Sequence, residues 1–319
     1  LLLSPRWLLP LLWLCGGAAA APACPGPAPA WQVLQVAAPQ AWLLQGAEGE
    51  ATAANRGQVS NLVLVREGRR LWLLGAGPTP AFARALDCHV RQRFGQPVSD
   101  VIVPWPHAES ALGLAGFPHA RLWAHADVAA AMGRQCATCR EVLQARLGAA
   151  AADLDGDILL PAHRLSGDSG ELGPWRWWAL RRSDEQVALV WRLRSAPLFV
   201  ATGWLWGDAP PDARLADVQH LQEGTRQLLA LAAPDGAAAR WLGEQGAVQD
   251  ALAPQRAADY WQAVQAAVDG AFARGELPAT APPLPGVAAS WQAHPQHALN
   301  WQRAWRQAED RFLRGDAPR

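Results

Sequence analysis

The stretch that decides the fold runs from Asn61 to Ser110 and reads NLVLVREGRRLWLLGAGPTPAFARALDCHVRQRFGQPVSDVIVPWPHAES. Two apolar runs, residues 61–65 and 71–74, flank a turn at Glu67 and Gly68, so they read as a β-hairpin. Gly75, Gly77, Pro78 and Thr79 make a glycine-rich turn into a helix expected over 80–94, where Phe82, Ala85, Leu86 and Val90 recur at helical spacing. Residues 98–103 (VSDVIV) form a short apolar strand, and 104–110 a loop at its C-terminal end. Loops in that position converge their side chains on one crevice, which makes this the first place to look for a site.

Outward from this stretch the scheme continues. Residues 31–45 alternate loosely as strands do, a strand is expected at 120–124, and a helix at 127–147 with Asp127 as its N-cap. Strands at 175–181, 186–193 and 198–206 precede helices at 216–231 and 254–274. A proline-rich break at 278–285 leads to a last helix over 291–313, whose Trp301, Trp305, Leu299 and Phe312 are expected to form a docking face on the core. Strands followed by helices, twice over, describe a layered α/β protein with mixed sheets.

The chain has 319 residues and no net charge, with 28 basic residues against 28 acidic. All the basic residues are arginine. Without lysine there is no Schiff base, no P-loop lysine and no lysine general base. Neutrality argues against nucleic acid, which demands a basic face, and against a polybasic membrane-surface role. The 18 tryptophans, beside one tyrosine, reflect GC-rich coding and make tryptophan the default large core residue.

Residues 1–23 run from Arg6 through a leucine and tryptophan stretch to Ala21-Pro22-Ala23, the order of a secretory signal peptide. The stretch is too short, and too interrupted by Pro10, to span a membrane. Cleavage gives a periplasmic or secreted protein with no transmembrane span in the mature chain. The alanine at position 21 disfavours lipidation at Cys24. A 24–30 linker, a 31–275 domain and a 276–319 tail complete the organisation. Export implies an oxidising compartment. Cys136 and Cys139 form a lone C-x-x-C, and the expected disulfide lies within that pair or joins one member to Cys88.

On these residues the chain resembles the metallo-β-lactamase superfamily, and within it the exported zinc metallohydrolases associated with quinoprotein relay systems. The carriers are the 61–65 strand, Leu73-Leu74-Gly75-Ala76-Gly77, the following helix, the strand Val101-Ile102-Val103 and the loop to Phe117. The resemblance extends loosely from Trp31 to Arg274 and implies an αββα four-layer sandwich of two mixed sheets, with the C-terminal helix outside it. It also implies a His-x-His-x-Asp-His zinc motif directly after the apolar strand. There Trp105 stands for the first histidine, His107 matches the second, Glu109 replaces the aspartate, and Ser110 replaces the last histidine. The family's Asp-x-Gly is matched by Gly75-Ala76-Gly77, so Gly75 stands where the aspartate is implied, Ser183 falls where another histidine is implied, and Gln245 replaces the histidine of a late glycine turn. Asp208, after Gly207, matches the bridging carboxylate.

A catalytic zinc takes about three protein ligands and an open position. His107 and Asp208, with Glu109 as a third, are a thin remnant. Tryptophan has no lone pair to offer a metal and serine is a poor ligand. Of the other histidines, His294 and His297 are spoiled as a helical pair by Pro295, and His119 and His125 flank a short strand. No nucleophile elbow, Walker loop or dinucleotide fingerprint is present. The expected protein binds no cofactor, or one zinc. Its expected partner is a small molecule or a periplasmic protein, and its role that of a non-catalytic binding or accessory protein linked to a quinoprotein system. Two alternatives remain open: an atypical mononuclear zinc hydrolase acting on an ester, lactam or thioester, and a structural partner recognised through the tryptophan-rich C-terminal helix.

Overall fold

The structure is a computed structural model that describes residues 23–34, 40–277 and 280–315. The expected signal peptide therefore lies outside the described residues except for Ala23. Among the described residues, twelve strands form two sheets. The first runs β1 (Trp31–Val33), β2 (Ala41–Leu44), β3 (Leu62–Glu67), β4 (Arg70–Leu74), β5 (Asp100–Val103), β6 (Arg121–His125) and β7 (His163–Leu165), side by side in sequence order. Antiparallel pairing through β4 gives way to parallel pairing from β4 to β7. The second sheet is ordered β12 (Arg240–Leu242), β11 (Leu198–Val200), β10 (Gln186–Leu193), β9 (Trp175–Ser183) and β8 (Ser169–Leu172), and only its β11–β12 pair is parallel.

Parallel neighbours need crossovers, and helices supply them. Helix α1 (Pro80–Phe94) links β4 to β5, with Thr79 capping its N-terminus by accepting from Phe82 N at 3.1 Å. The short α2 (Ala108–Ala111) follows β5, and α3 (Ala126–Leu147) follows β6. Helix α4 (Val218–Ala232) lies between β11 and β12; α5 (Ala253–Ala273), α6 (Ala289–Ala293) and α7 (Pro295–Arg314) close the chain. This is the expected pair of mixed sheets flanked by helices.

Alternation along β10 divides the core. Val187, Leu189, Trp191 and Leu193 join the first sheet, α1 and α3 in one apolar cluster. Ala188 and Val190 point the other way, into a cluster with α4, α5 and α7. Among the described residues, no helix is long and apolar enough to cross a membrane.

Several local expectations are revised. His125, not Asp127, caps α3: its Nδ1 accepts from Asp127 N at 3.2 Å, and its own backbone is extended. The strand expected over 198–206 stops at Val200, because Gly203 turns at φ 80° and packs so tightly that a β-carbon there would meet Trp105 at 3.0 Å. The C-terminal helix is two helices, broken where Pro295 starts α7 and His294 caps it. Trp301 and Trp305 are buried in the second cluster and Phe312, though 59% exposed, packs its ring on Phe272 at the edge of the same face, whereas Leu299 is 40% exposed and does not join that cluster. A partner reading this helix through its tryptophans would find them already packed inside the protein.

The cysteine pairing is also corrected. Cys88 is bonded to Cys24, closing 64 residues, while Cys136 and Cys139 are free. Cys136 is sealed in the core on the inner face of α3, and burial pushes its thiol up to about 12, far from the thiolate that exchange needs.

Candidate functional site

The site is built from the ends of strands, as expected for this topology. The β5 to α2 segment brings Trp105, His107 and Glu109. The turn after β12, Gly243 to Gly246, brings Glu244, and the end of β9 brings Arg182. Asn61 fixes the arrangement. Its side chain accepts from Gly46 N at 2.9 Å and donates to the carbonyls of Gly243 and Gly246, both at 3.0 Å. One buried amide thus ties the loop before β3 to the turn after β12.

Glu244 is the centre. It is 1% exposed, and three donors hold its carboxylate: Trp105 Nε1 at 2.9 Å, Gly203 N at 3.1 Å and the Ser60 hydroxyl. A buried charge persists only when so compensated. The Trp105 indole lies flat against the His107 ring, with centroids 4.5 Å apart and planes 5° from parallel. Its other aromatic neighbour is Trp206, edge-on at 5.9 Å. The Arg182 guanidinium sits 4.7 Å from the Trp105 ring and 5.8 Å from that of Trp206. Arg182 is 1% exposed, and burial lowers its pKa to about 10 against the opposing pull of Asp212 and Glu244, which leaves it charged at neutral pH. Its Nη2 donates to the Asp212 carbonyl at 2.6 Å.

His107 Nδ1 lies 3.1 Å from Glu109 Oε2 and 3.6 Å from Glu244 Oε1, contacts without hydrogen-bond alignment. These residues open onto a cavity of about 270 Å³ that also reaches Trp206, Arg214, Gln245 and His294. Behind it, Asp212 is tied to Arg303 at 2.5 Å, Arg214 at 3.3 Å and Gln296 at 2.8 Å. Gln296 and Asn300 extend the network to Tyr260 and on to His297.

The structure gathers only part of the expected set. His107 and Glu109 meet. Trp105 fills the first-histidine position and turns its only polar atom to Glu244. Ser110 is buried, its hydroxyl donating to His107 O at 3.2 Å. Gly75 and Gly77 adopt φ of 88° and 82°, and added β-carbons would strike Leu62 and Phe82. Their turn packs on the segment after α2 through Ala76 N to Ser110 O and Gly113 N to Gly77 O. Gln245 brackets Gly49, accepting from its N at 3.1 Å and donating to its O at 2.8 Å. Asp208 is exposed and does not line the cavity, and Ser183 lies in the β9–β10 hairpin away from it.

Sequence reasoning missed Glu244 and Arg182, each next to a residue it had singled out. For Arg182 a signal existed: in a strand Trp178, Leu180 and Arg182 share a face, and Ser183 takes the opposite one.

These residues do not fit zinc. The Glu244 oxygens are taken by three donors, Trp105 contributes an N–H where a lone pair is needed, and Asp208 faces solvent. Among the described residues no three His, Cys, Asp or Glu side chains are grouped to hold a metal ion.

The protein has the metallo-β-lactamase fold. It is similar to the metallo-β-lactamase of Erythrobacter litoralis, whose crystal structure carries β-mercaptoethanol in the active site. The TM-score is 0.51 at 14% identity, over 64% of this chain and 85% of that one. It is similar also to the metallo-β-lactamase of Hirschia baltica, with a TM-score of 0.51 at 10% identity over 63% and 85%. No protein-family model and no curated protein matches the sequence. At these identities the likeness concerns the fold, and the chemistry has to be argued from the site itself.

Proposed function

We propose that this is an exported pseudoenzyme: a metallo-β-lactamase-fold protein that has exchanged its zinc site for a closed tryptophan, glutamate and arginine cluster. It acts as a non-catalytic binding or accessory protein, in the periplasm or outside the cell, for a small molecule or a protein partner of a quinoprotein system. The observation that carries this reading is the Glu244 carboxylate, held by Trp105, Gly203 and Ser60 and shadowed by the buried Arg182 cation. The Glu244 carboxylate is thus already engaged, and His107 and Glu109 alone are too few to hold a metal.

The test is metal analysis after refolding in zinc and dialysis. The reading expects less than about 0.1 zinc per chain, where an intact structural or catalytic site takes a full equivalent. A full equivalent that disappears in His107→Ala would overturn it in favour of a mononuclear hydrolase of esters, lactams or thioesters using His107 and Glu109.

A further inference from the structure

A larger cavity than that at His107 lies elsewhere. It measures about 570 Å³ and lies between the N-terminal segment, the end of β2 with the loop from it to β3, and the flank of α1. That volume falls in the range of small-molecule sites. Its cover is the segment after Cys24, where Pro25, Pro27 and Pro29 line one wall. Proline fixes φ and keeps such a segment stiff. The Cys24–Cys88 disulfide fastens the cover to α1, one residue before His89.

The chemistry of the lining is one-sided. Leu44, Phe82 and Leu86 supply an apolar floor. Arg56 and His89 are the ionisable groups, and none of the described residues that line the cavity is acidic. Arg56 has no ion-pair partner among the described residues; its guanidinium rests by the Gly26 turn, where an added β-carbon would lie 3.5 Å from Nη1. His89 Nε2 is buried without a hydrogen-bond partner among the described residues. Sealed from solvent, that nitrogen is out of a ligand's reach, and the exposed Arg56 is the cation that meets the cavity. Arg56 also holds φ 53°, a conformation uncommon for a side chain of this size, at the edge of the same cavity.

We propose that this disulfide-fastened cavity binds a small amphipathic carboxylate. Its apolar body lies on Leu44, Phe82 and Leu86, and its carboxylate accepts from Arg56. The site is separate from the Trp105 cluster and stands whether or not that cluster binds metal.

Titration calorimetry on the disulfide-intact chain tests it with decanoate and 2-naphthoate, and with decyltrimethylammonium as the cation of matched chain. At least one carboxylate is expected to bind with 1:1 stoichiometry, and the cation not to bind. Arg56→Asn removes the charge while tolerating the same backbone, and weakens the carboxylate about tenfold or more. Ala85→Trp fills the cavity from the half-buried flank of α1 and abolishes binding. The proposal is overturned if neither carboxylate binds, if the cation binds as well as the carboxylates, or if both variants retain the wild-type affinity.

Discussion

The indole Nε1 of Trp105 donates to Glu244 Oε2 at 2.9 Å, from the position where the resemblance places a metal-binding histidine. The two residues are 139 positions apart in sequence, so the bond ties the end of the first sheet to the turn after β12. What holds the strand ends together here is a neutral donor and a buried carboxylate.

Removing that donor should destabilise the protein without restoring metal binding. Trp105→Phe leaves a buried carboxylate one hydrogen bond short and opens a small void, at a cost of about 2–4 kcal/mol. Ser60→Ala removes a second donor to the same carboxylate and costs about 1–3 kcal/mol. Because both act on one charge, the double variant is expected to depart from the sum of the two. Urea unfolding of the four proteins checks it, and strict additivity would argue that Glu244 is not the shared partner.

The disulfide assignment predicts two separable results. Closing 64 residues limits the unfolded chain by about 4 kcal/mol in the loop-entropy account, so a Cys24→Ser, Cys88→Ser variant should lose much of that. In the native protein, iodoacetamide should label Cys139 before Cys136. Cys136 is buried with its thiol pushed up to about 12 by burial and by Cys139. Cys139 is half-buried, and its thiol is raised by burial and by the Glu109 charge. Both lie in the tryptic peptide 135–140, where fragment masses separate them. Equal labelling of the two would contradict the burial of Cys136.

His297 predicts an acid sensitivity. Burial beside Tyr260 lowers its pKa, so the folded protein holds this imidazole neutral. The unfolded chain takes up the proton first, at about pH 6.5. Stability from this group is therefore complete above that pH and falls as the pH drops toward the depressed folded value. Against wild type, His297→Gln should show a smaller loss of unfolding free energy between pH 8 and pH 5. A parallel pair of curves would remove His297 from the account.

The tail is integral on the same grounds. Asn300 donates to Pro211 O at 2.6 Å and accepts from Ala213 N at 3.0 Å, carrying the loop that holds Asp212. Asn300→Ala leaves these buried backbone groups unpaired and should cost about 2–4 kcal/mol. It should also loosen the Asp212 loop enough to raise hydrogen exchange at Ala213. Protection unchanged at Ala213 would speak against that link.

Much of the scaffold was legible because it is written in long apolar periods. The hairpin at β3 and β4, helix α1 and strand β5 all follow from runs whose burial leaves one choice of element. β7, β8 and β12 were not legible. They are three or four residues long, and β7 and β8 carry charged or exposed side chains such as Arg164 and Glu171. The site was readable only to within a residue. Motif matching indicated Gln245 and Ser183; Gln245 does line the cavity, yet the central carboxylate is its neighbour Glu244, and Arg182 rather than Ser183 packs on the Trp105 ring. A tight turn and a strand both reverse a side chain's direction from one residue to the next, and only the backbone decides the phase. The disulfide had no local signal, since Cys24 reaches Cys88 through the fold alone.

The most direct test of the central claim is an anomalous difference map at the zinc edge, from crystals soaked in zinc. The closed cluster predicts no zinc peak within about 2.2 Å of either His107 nitrogen, and a Trp105 indole still bonded to Glu244. A peak held by His107, with Glu109 or a Glu244 carboxylate swung away from Trp105, would contradict it.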